Sequence, residues 1–195
     1  MNSKKKISAS LFGVMTALCA MGAGLAASGT SAVAESTDRS PASFERGTAR
    51  PHLAARILRA HNEERRGLGL RPLKWNTHLE REAGQWAQHL SQRGMLQHAD
   101  QRTRNQTGEN LWMGTAGHWP VENMVGMFID EKKHYRHASF PNISRTGNWA
   151  DVGHYSQVVW RDTQEVGCAV STARGNDVLV CRYWPAGNVW GQKAY

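Results

Sequence analysis

Val166-Gly167-Cys168-Ala169-Val170-Ser171-Thr172-Ala173-Arg174-Gly175-Asn176-Asp177-Val178-Leu179-Val180-Cys181-Arg182-Tyr183-Trp184 is the stretch on which the fold turns. Two apolar runs rich in β-branched residues, Val166–Ser171 and Val178–Trp184, flank the turn signal Ala173-Arg174-Gly175-Asn176. That pattern reads as a β-hairpin. The two cysteines lie symmetrically about the Arg174–Gly175 bond. A hairpin centred there sets Cys168 opposite Cys181, at a separation a disulfide can span. Zinc is the rival for any cysteine pair, but no C-x-x-C spacing is present. A single bridge is therefore expected, contributing about 3 kcal/mol on the chain-entropy model. Just upstream, Tyr155–Trp160 holds Val158-Val159-Trp160 and reads as a further strand, with His154, Ser156, Val158 and Trp160 on one face.

Before the strands come helices. Pro51 is expected to open the first and Gly67 to end it, with Leu53, Ile57 and Ala60 as its apolar stripe. Thr77-His78-Leu79-Glu80 reads as a capping box, followed by Leu79, Ala83, Trp86 and Leu90 at helical spacing and a stop at Gly94. Trp119-Pro120 opens a third helix, striped by Val121, Met124, Phe128 and Tyr135. Residues 95–118 show no clear period and read as loop with short helix. Helices first and an antiparallel sheet afterwards argue an α+β class with helices covering the sheet.

The chain has 195 residues, 24 Lys+Arg against 16 Asp+Glu and a formal charge of +8, with 40% hydrophobic residues. This is globular composition. It excludes an acidic disordered tail, a collagen and a polytopic membrane protein. Lys4, Lys5 and Lys6, the apolar run Leu11–Ala27 and Ala32-Val33-Ala34 form the three parts of a secretory signal peptide over residues 1–34. The apolar run is too short and glycine-rich for a stable membrane span. Cys19 leaves with it, since Leu18 is bulky where a lipoprotein signal needs a small residue. Polar residues 35–50 read as a flexible leader and 51–195 as one domain. Secretion, extracellular or periplasmic, places Cys168 and Cys181 where disulfides persist.

Nine histidines require sorting. His52, His78, His89 and His118 lie at helix ends or on polar faces and read as solvated. His61-Asn62-Glu63 has the H-x-E of zinc deaminases without the partnering P-C-x-x-C. Glu131, His134 and His137 follow one another at i, i+3 and i+6 on the third helix, but the second Glu-x-x-His of a di-iron bundle is missing. Glu131 itself lies beside the apolar stripe, so its carboxylate needs a cation, a donor or a proton. Glu109, in Gly108-Glu109-Asn110 before Leu111-Trp112, and His154, after Gly153, are polar groups in apolar surroundings of the same kind.

At these residues the chain resembles a known family. Gly153-His154-Tyr155-Ser156-Gln157-Val158-Val159-Trp160 is similar to the G-H-Y-T-Q-V-V-W signature of the CAP superfamily: cysteine-rich secretory proteins, antigen 5 and plant pathogenesis-related proteins. Arg182-Tyr183-Trp184-Pro185-Ala186-Gly187-Asn188 resembles C-x-Y-x-P-x-G-N, His61-Asn62-Glu63-Glu64-Arg65 resembles H-N-x-x-R, and Gly108-Glu109-Asn110-Leu111 resembles G-E-N-hydrophobic. The resemblance spans residues 52–195. It implies a three-layer α-β-α sandwich with a central antiparallel sheet (the SCP-type domain), secretion, and a cavity lined by His98, Glu109, Glu131 and His154. His98 stands in Gln97-His98-Ala99 where the family often has His-Ser. The family's cavity binds a divalent metal, commonly zinc, through its two histidines, here His98 and His154, which would leave coordination positions open. A hydrogen-bonded structural cluster is the plainer role for the same four residues. Pro185–Tyr195 resembles the tail that some plant members release as a signalling peptide, with Ala194 in place of Pro.

Two functions are expected from this reading. The first is a secreted, non-catalytic binding module for a hydrophobic small molecule such as a lipid or sterol, or for a cell-surface or cell-wall ligand. Eight tryptophans serve such contacts, although Trp75, Trp86 and Trp160 read as core. The second is a hydrolase in which Glu109 and Glu131, or a carboxylate with metal-bound water, act on cell-wall glycan or on an ester or amide. Whether the chain is an enzyme stays open, leaning to no, since G-x-S-x-G and H-E-x-x-H are absent. Nucleic acid is not expected as a partner. Arg56, Arg59, Arg65, Arg66 and Arg71 could face phosphate-bearing polymers, with a solvated helix face the plainer reading. A monomer is expected.

Overall fold

The computed structural model describes residues 42–195, with side chains from His52 onward. The signal peptide over 1–34, Cys19 and residues 35–41 lie outside the described residues. Helix α1 spans Ala42–Gly67. It begins ahead of Pro51, because the helix formers Ala42, Glu45, Arg46, Ala49 and Arg50 carry it upstream. Residues 42–50, expected as leader, therefore have helical backbone. The expected stripe faces inward: Ile57 is buried, and Leu53 and Ala60 pack beside it.

Helix α2, Thr77–Arg93, follows the short strand β1, Lys74–Trp75. Its cap is Asn76 rather than Thr77: Asn76 Oδ1 accepts from the backbone N–H of His78 (2.8 Å) and Leu79 (3.1 Å). Glu80, expected in the capping box, instead accepts from Trp75 Nε1 at 2.9 Å. Helix α3, Val121–Asp130, buries Val121, Met124, Val125 and Phe128. It tightens into a 3-10 turn, Glu131–His134, so Glu131, His134 and His137 do not share one continuous helix.

Two expected elements are corrected. Residues 95–118 contain a strand, β2, Gly108–Thr115. It is covered on both faces over its first five residues and begins with polar Glu109 and Asn110, so it lacks the alternation of a half-buried strand. Tyr155–Trp160 is not a strand: Gly153–Val158 forms helix α4. A short apolar run does not distinguish the two by periodicity. Here Glu131 decides, since its Oε2 accepts the N-terminal N–H groups of His154 and Tyr155, each at 3.0 Å.

The hairpin forms as expected from β3, Glu165–Ala173, and β4, Asn176–Trp184. Its two turn residues, Arg174 (φ 53°) and Gly175 (φ 76°), take the left-handed conformation of a type I′ turn. Cys168 pairs with Cys181 in the register, and the two are disulfide-bonded. The sheet order is β1-β3-β4-β2, antiparallel except for β1, which runs parallel to β3.

Helices cover both faces, giving the three-layer α-β-α arrangement. On one face Ala83, Ala87 and Leu90 of α2 meet Leu111, Val178 and Val180. On the other, Ile57, Val125, Phe128 and Val158 from α1, α3 and α4 meet Trp112, Leu179 and Tyr183. Of the tryptophans expected in the core, Trp160 is buried, whereas Trp75 and Trp86 are only partly covered. No described helix is long and apolar enough to cross a membrane.

Candidate functional site

Strand β2 organises the site because its two polar residues point to opposite faces. Glu109 shares the α2 face with Leu111, and Asn110 the other face with Trp112. Glu109 lies across from Arg182 in the β2–β4 register, and its side chain is wholly buried. A buried carboxylate must be compensated. Arg182 Nη2 stands 3.0 Å from Glu109 Oε2, an ion pair without an aligned hydrogen bond, while Oε1 accepts from Ala99 N at 3.1 Å and from His98 Nδ1 at 2.6 Å. Burial pulls the Arg182 guanidinium below its ordinary pKa, and Glu109 opposes that shift. His98 itself is open to solvent, its side chain 56% exposed.

The second pair sits where α3 meets α4. Glu131 Oε2 caps α4 as described, and Oε1 accepts from His154 Nδ1 at 2.6 Å. The His154 ring also stacks on Phe128, centroid to centroid 4.9 Å. A carboxylate only accepts, so in both pairs Nδ1 carries the proton. In a neutral imidazole so oriented, Nε2 is the lone-pair nitrogen. Among the described residues neither Nε2 has a hydrogen-bond partner.

Asn110 links the two halves. Its Nδ2 donates to the backbone oxygen of His154 (3.1 Å) and to Tyr183 Oη (3.2 Å). The line continues inward. Tyr183 Oη donates to His61 Nε2 at 2.9 Å, and His61 Nδ1 donates to Ile57 O at 2.9 Å. His61 is fully buried, and burial lowers its pKa to about 4, so it is neutral. Burial likewise raises the Tyr183 phenol well above its ordinary value.

The structure thus joins the four expected residues pairwise, His98 with Glu109 and Glu131 with His154, through Asn110. Among the described residues no group of three or more His, Cys, Asp or Glu side chains is placed to hold a metal ion. Two clefts open elsewhere, of about 490 Å³ beside Arg59, Glu64 and Ile129 and about 260 Å³ beside Trp86, His89 and Arg182; none of the four residues lines either.

Several consequential residues escape a sequence reading. Arg65 is buried with no carboxylate. Its guanidinium donates to the backbone oxygens of Arg71 (2.8 Å), Val158 (2.9 Å), Trp160 (2.8 Å) and Thr163 (3.2 Å). Desolvation lowers its pKa to about 10. The five-arginine face is therefore broken: Arg65 is interior, Arg56 forms a bidentate pair with Glu122, and Arg59 stands 3.7 Å from that same carboxylate. Asn62 exchanges two hydrogen bonds with the Leu73 backbone, at 2.7 and 3.0 Å. For Asn62 and Arg65 the signal was the H-N-x-x-R spacing, which marks their positions but not their structural role. His52, His78, His89 and His118 are exposed, as expected, and so are His134 and His137.

Comparison with known proteins agrees with this architecture. A model of the CAP, or cysteine-rich secretory protein, family matches residues 58–183. The chain is 38% identical over 139 residues to pathogenesis-related protein 1B of Nicotiana tabacum, covering 71% of this chain and 78% of that one. It is 33% identical over 134 residues to the Golgi-associated plant pathogenesis-related protein 1 of Homo sapiens, covering 68% and 82%. Among solved structures it resembles BmVAL-1 (TM-score 0.63, 22% identity, 74% and 82% covered) and NaASP2 with Zn2+ (TM-score 0.62, 21% identity, 73% and 85% covered).

Proposed function

The chain belongs to the cysteine-rich secretory protein family, and on that premise we propose that it acts outside the cytoplasm as a non-catalytic binding protein. Its ligand is a hydrophobic small molecule or a component of a cell surface or wall. The Cys168–Cys181 bridge supports export, because such bonds persist in oxidising compartments.

The observation that carries the non-catalytic reading is the state of the two carboxylates. Glu109 is buried and engaged by His98, Ala99 N–H and Arg182; Glu131 is engaged by His154 and by two backbone N–H groups. Carboxylates held this way by fixed neighbours, Glu109 Oε2 by the charge of Arg182 alone, orient those neighbours, whereas a general acid or base must reach the substrate's proton.

The same geometry supports a divalent metal, zinc by analogy with the NaASP2 structure. A metal-ligating imidazole characteristically donates its other ring N–H to a carboxylate, and both His98 and His154 do so. His98 and His154 would hold the ion through Nε2, with Glu109 and Glu131 behind them. A bound ion would supply Lewis acidity or a cross-link between ligand and protein.

Turnover of peptidoglycan and of ester and amide substrates tests the proposal, run on the wild type beside Glu109→Gln and Glu131→Gln. Expected is background release in all three, together with saturable binding of a labelled sterol, fatty acid or wall polymer. Release by the wild type that either substitution abolishes would replace the binding role with a hydrolase.

A further inference from the structure

Phe140 is buried, yet two indoles lean on its ring from distant parts of the chain. Trp149 lies 5.1 Å away at 61°, and Trp190 lies 5.6 Å away at 88°. Both stay open to solvent, Trp149 at 43% and Trp190 at 72%. A single exposed apolar side chain is ordinary, but neighbouring ones rigidly held together form a patch that marks an interaction site.

The rigidity is visible in the backbone. Phe140 N donates to Gln192 O at 2.7 Å and Gly191 N to Phe140 O at 2.8 Å, and Ser139 bridges to Lys193. These bonds fasten the segment bearing Trp190 to the loop bearing Phe140. Trp149 opens a 3-10 turn, Trp149–Val152, capped by Asn148 Oδ1 on Ala150 N at 3.1 Å. Its ring lies over Gly153, where a Cβ would come within 3.1 Å of it.

The frame around the indoles is polar and nearly neutral. Residues 138–152 and 185–195, which bear the three rings, carry one acidic residue, Asp151, and two basic residues, Arg145 and Lys193. The Thr146 hydroxyl and the Asn148 amide both donate to Asp151 at the surface. Asn188 Nδ2 donates to Gly153 O at 2.9 Å, while its Oδ1 is buried without a partner. An anionic lipid surface is recognised by clustered Lys and Arg, which these segments lack. Exposed indoles, apolar across the ring and polar at the N–H edge, suit partners that are themselves apolar on one face and polar at the rim, as sugar rings are.

From this juxtaposition we propose that Trp149, Phe140 and Trp190 form a platform for a neutral polysaccharide, whose pyranose rings lie on the two indoles. The platform rests on the reading of the protein as a binding module, and names the ligand class and the surface that takes it.

The test sediments the full chain with the uncharged glycans cellulose and chitin, and separately with vesicles of neutral and of anionic phospholipid. Expected is retention on at least one glycan that falls about tenfold in Trp149→Ala and in Trp190→Ala. Each is judged on a circular dichroism spectrum matching the wild type. Trp190→Tyr keeps a stacking ring and restores part of the retention. Trp184→Ala removes an indole that is also exposed but does not touch Phe140, and leaves retention unchanged. Absence of glycan retention, or vesicle binding that the same substitutions abolish, would overturn the platform. Equal retention in every variant would overturn it too, while leaving the binding role intact. Release of soluble sugar by the wild type would contradict the non-catalytic role and not the platform.

Discussion

His61 and Arg65 lie one turn apart on α1 and are both buried without a carboxylate partner. His61 carries a pH signature. Its pKa is about 4 in the fold, against 6.5 for an ordinary imidazole. The unfolded chain therefore binds a proton below pH 6.5 that the native state refuses until about pH 4. Stability from this residue is complete above pH 6.5, declines as pH falls toward 4 and declines no further below it. The loss amounts to about 3 kcal/mol. Urea denaturation at pH 7, 5.5 and 4 should show it in the wild type and not in His61→Phe; equal pH slopes would refute it. Arg65→Met should cost about 3 kcal/mol or more, because three buried carbonyls and a partly buried fourth lose their donor. Arg65→Lys should recover only part, since one ammonium does not span them. A denaturation midpoint unchanged in Arg65→Met would count against this. The spacing of these residues was legible in the sequence. Their burial was not, because two polar side chains four apart on a helix look the same whether the partner is water or a carbonyl from a distant segment.

Among elements, α4 depends on a residue outside itself. It has six residues, and Glu131 receives two of its N-terminal N–H groups as well as His154 Nδ1. Glu131→Ala should lower stability by about 2 kcal/mol, and Glu131→Gln by less, because the amide oxygen still accepts. In Glu131→Ala the His154 ring loses its fixed tautomer, which nitrogen chemical shifts would report; a ring unaffected by either change would contradict the assignment. This dependence also explains which elements could be read beforehand. The β3–β4 hairpin was legible because its turn, its β-branched apolar runs and its cysteines are local. Helix α4 was not, since the acceptor that makes it a helix sits beyond α3. Strand β2 escaped because both of its faces are covered and its inward polar residues find their partners on other elements.

For the whole molecule, the layers meet closely at Gly167 of β3. A Cβ there would lie 2.3 Å from Glu80 N and 2.5 Å from Asn76 O, both backbone atoms at the start of α2. Gly167→Ala should therefore destabilise by about 1–3 kcal/mol, and thermal melting would detect it. An unchanged melting temperature would show that α2 can withdraw from the sheet without cost. The layered α-β-α fold brings residues far apart in sequence together, His98 against Glu109 of β2 and His154 against Glu131 where α3 meets α4. Motif resemblance grouped these four residues around one cavity; their pairing, and the hydrogen-bond chain through Asn110, Tyr183 and His61, emerged only in three dimensions. The central proposal is that His98 and His154, each held through Nδ1 by a glutamate, would hold a divalent ion through Nε2. Zinc content of the purified full chain after equilibration and dialysis, measured by elemental analysis beside His98→Ala and His154→Ala, tests it most directly. Expected is about one ion per chain in the wild type and loss of most of it in each variant; the same zinc content in all three proteins would contradict the claim.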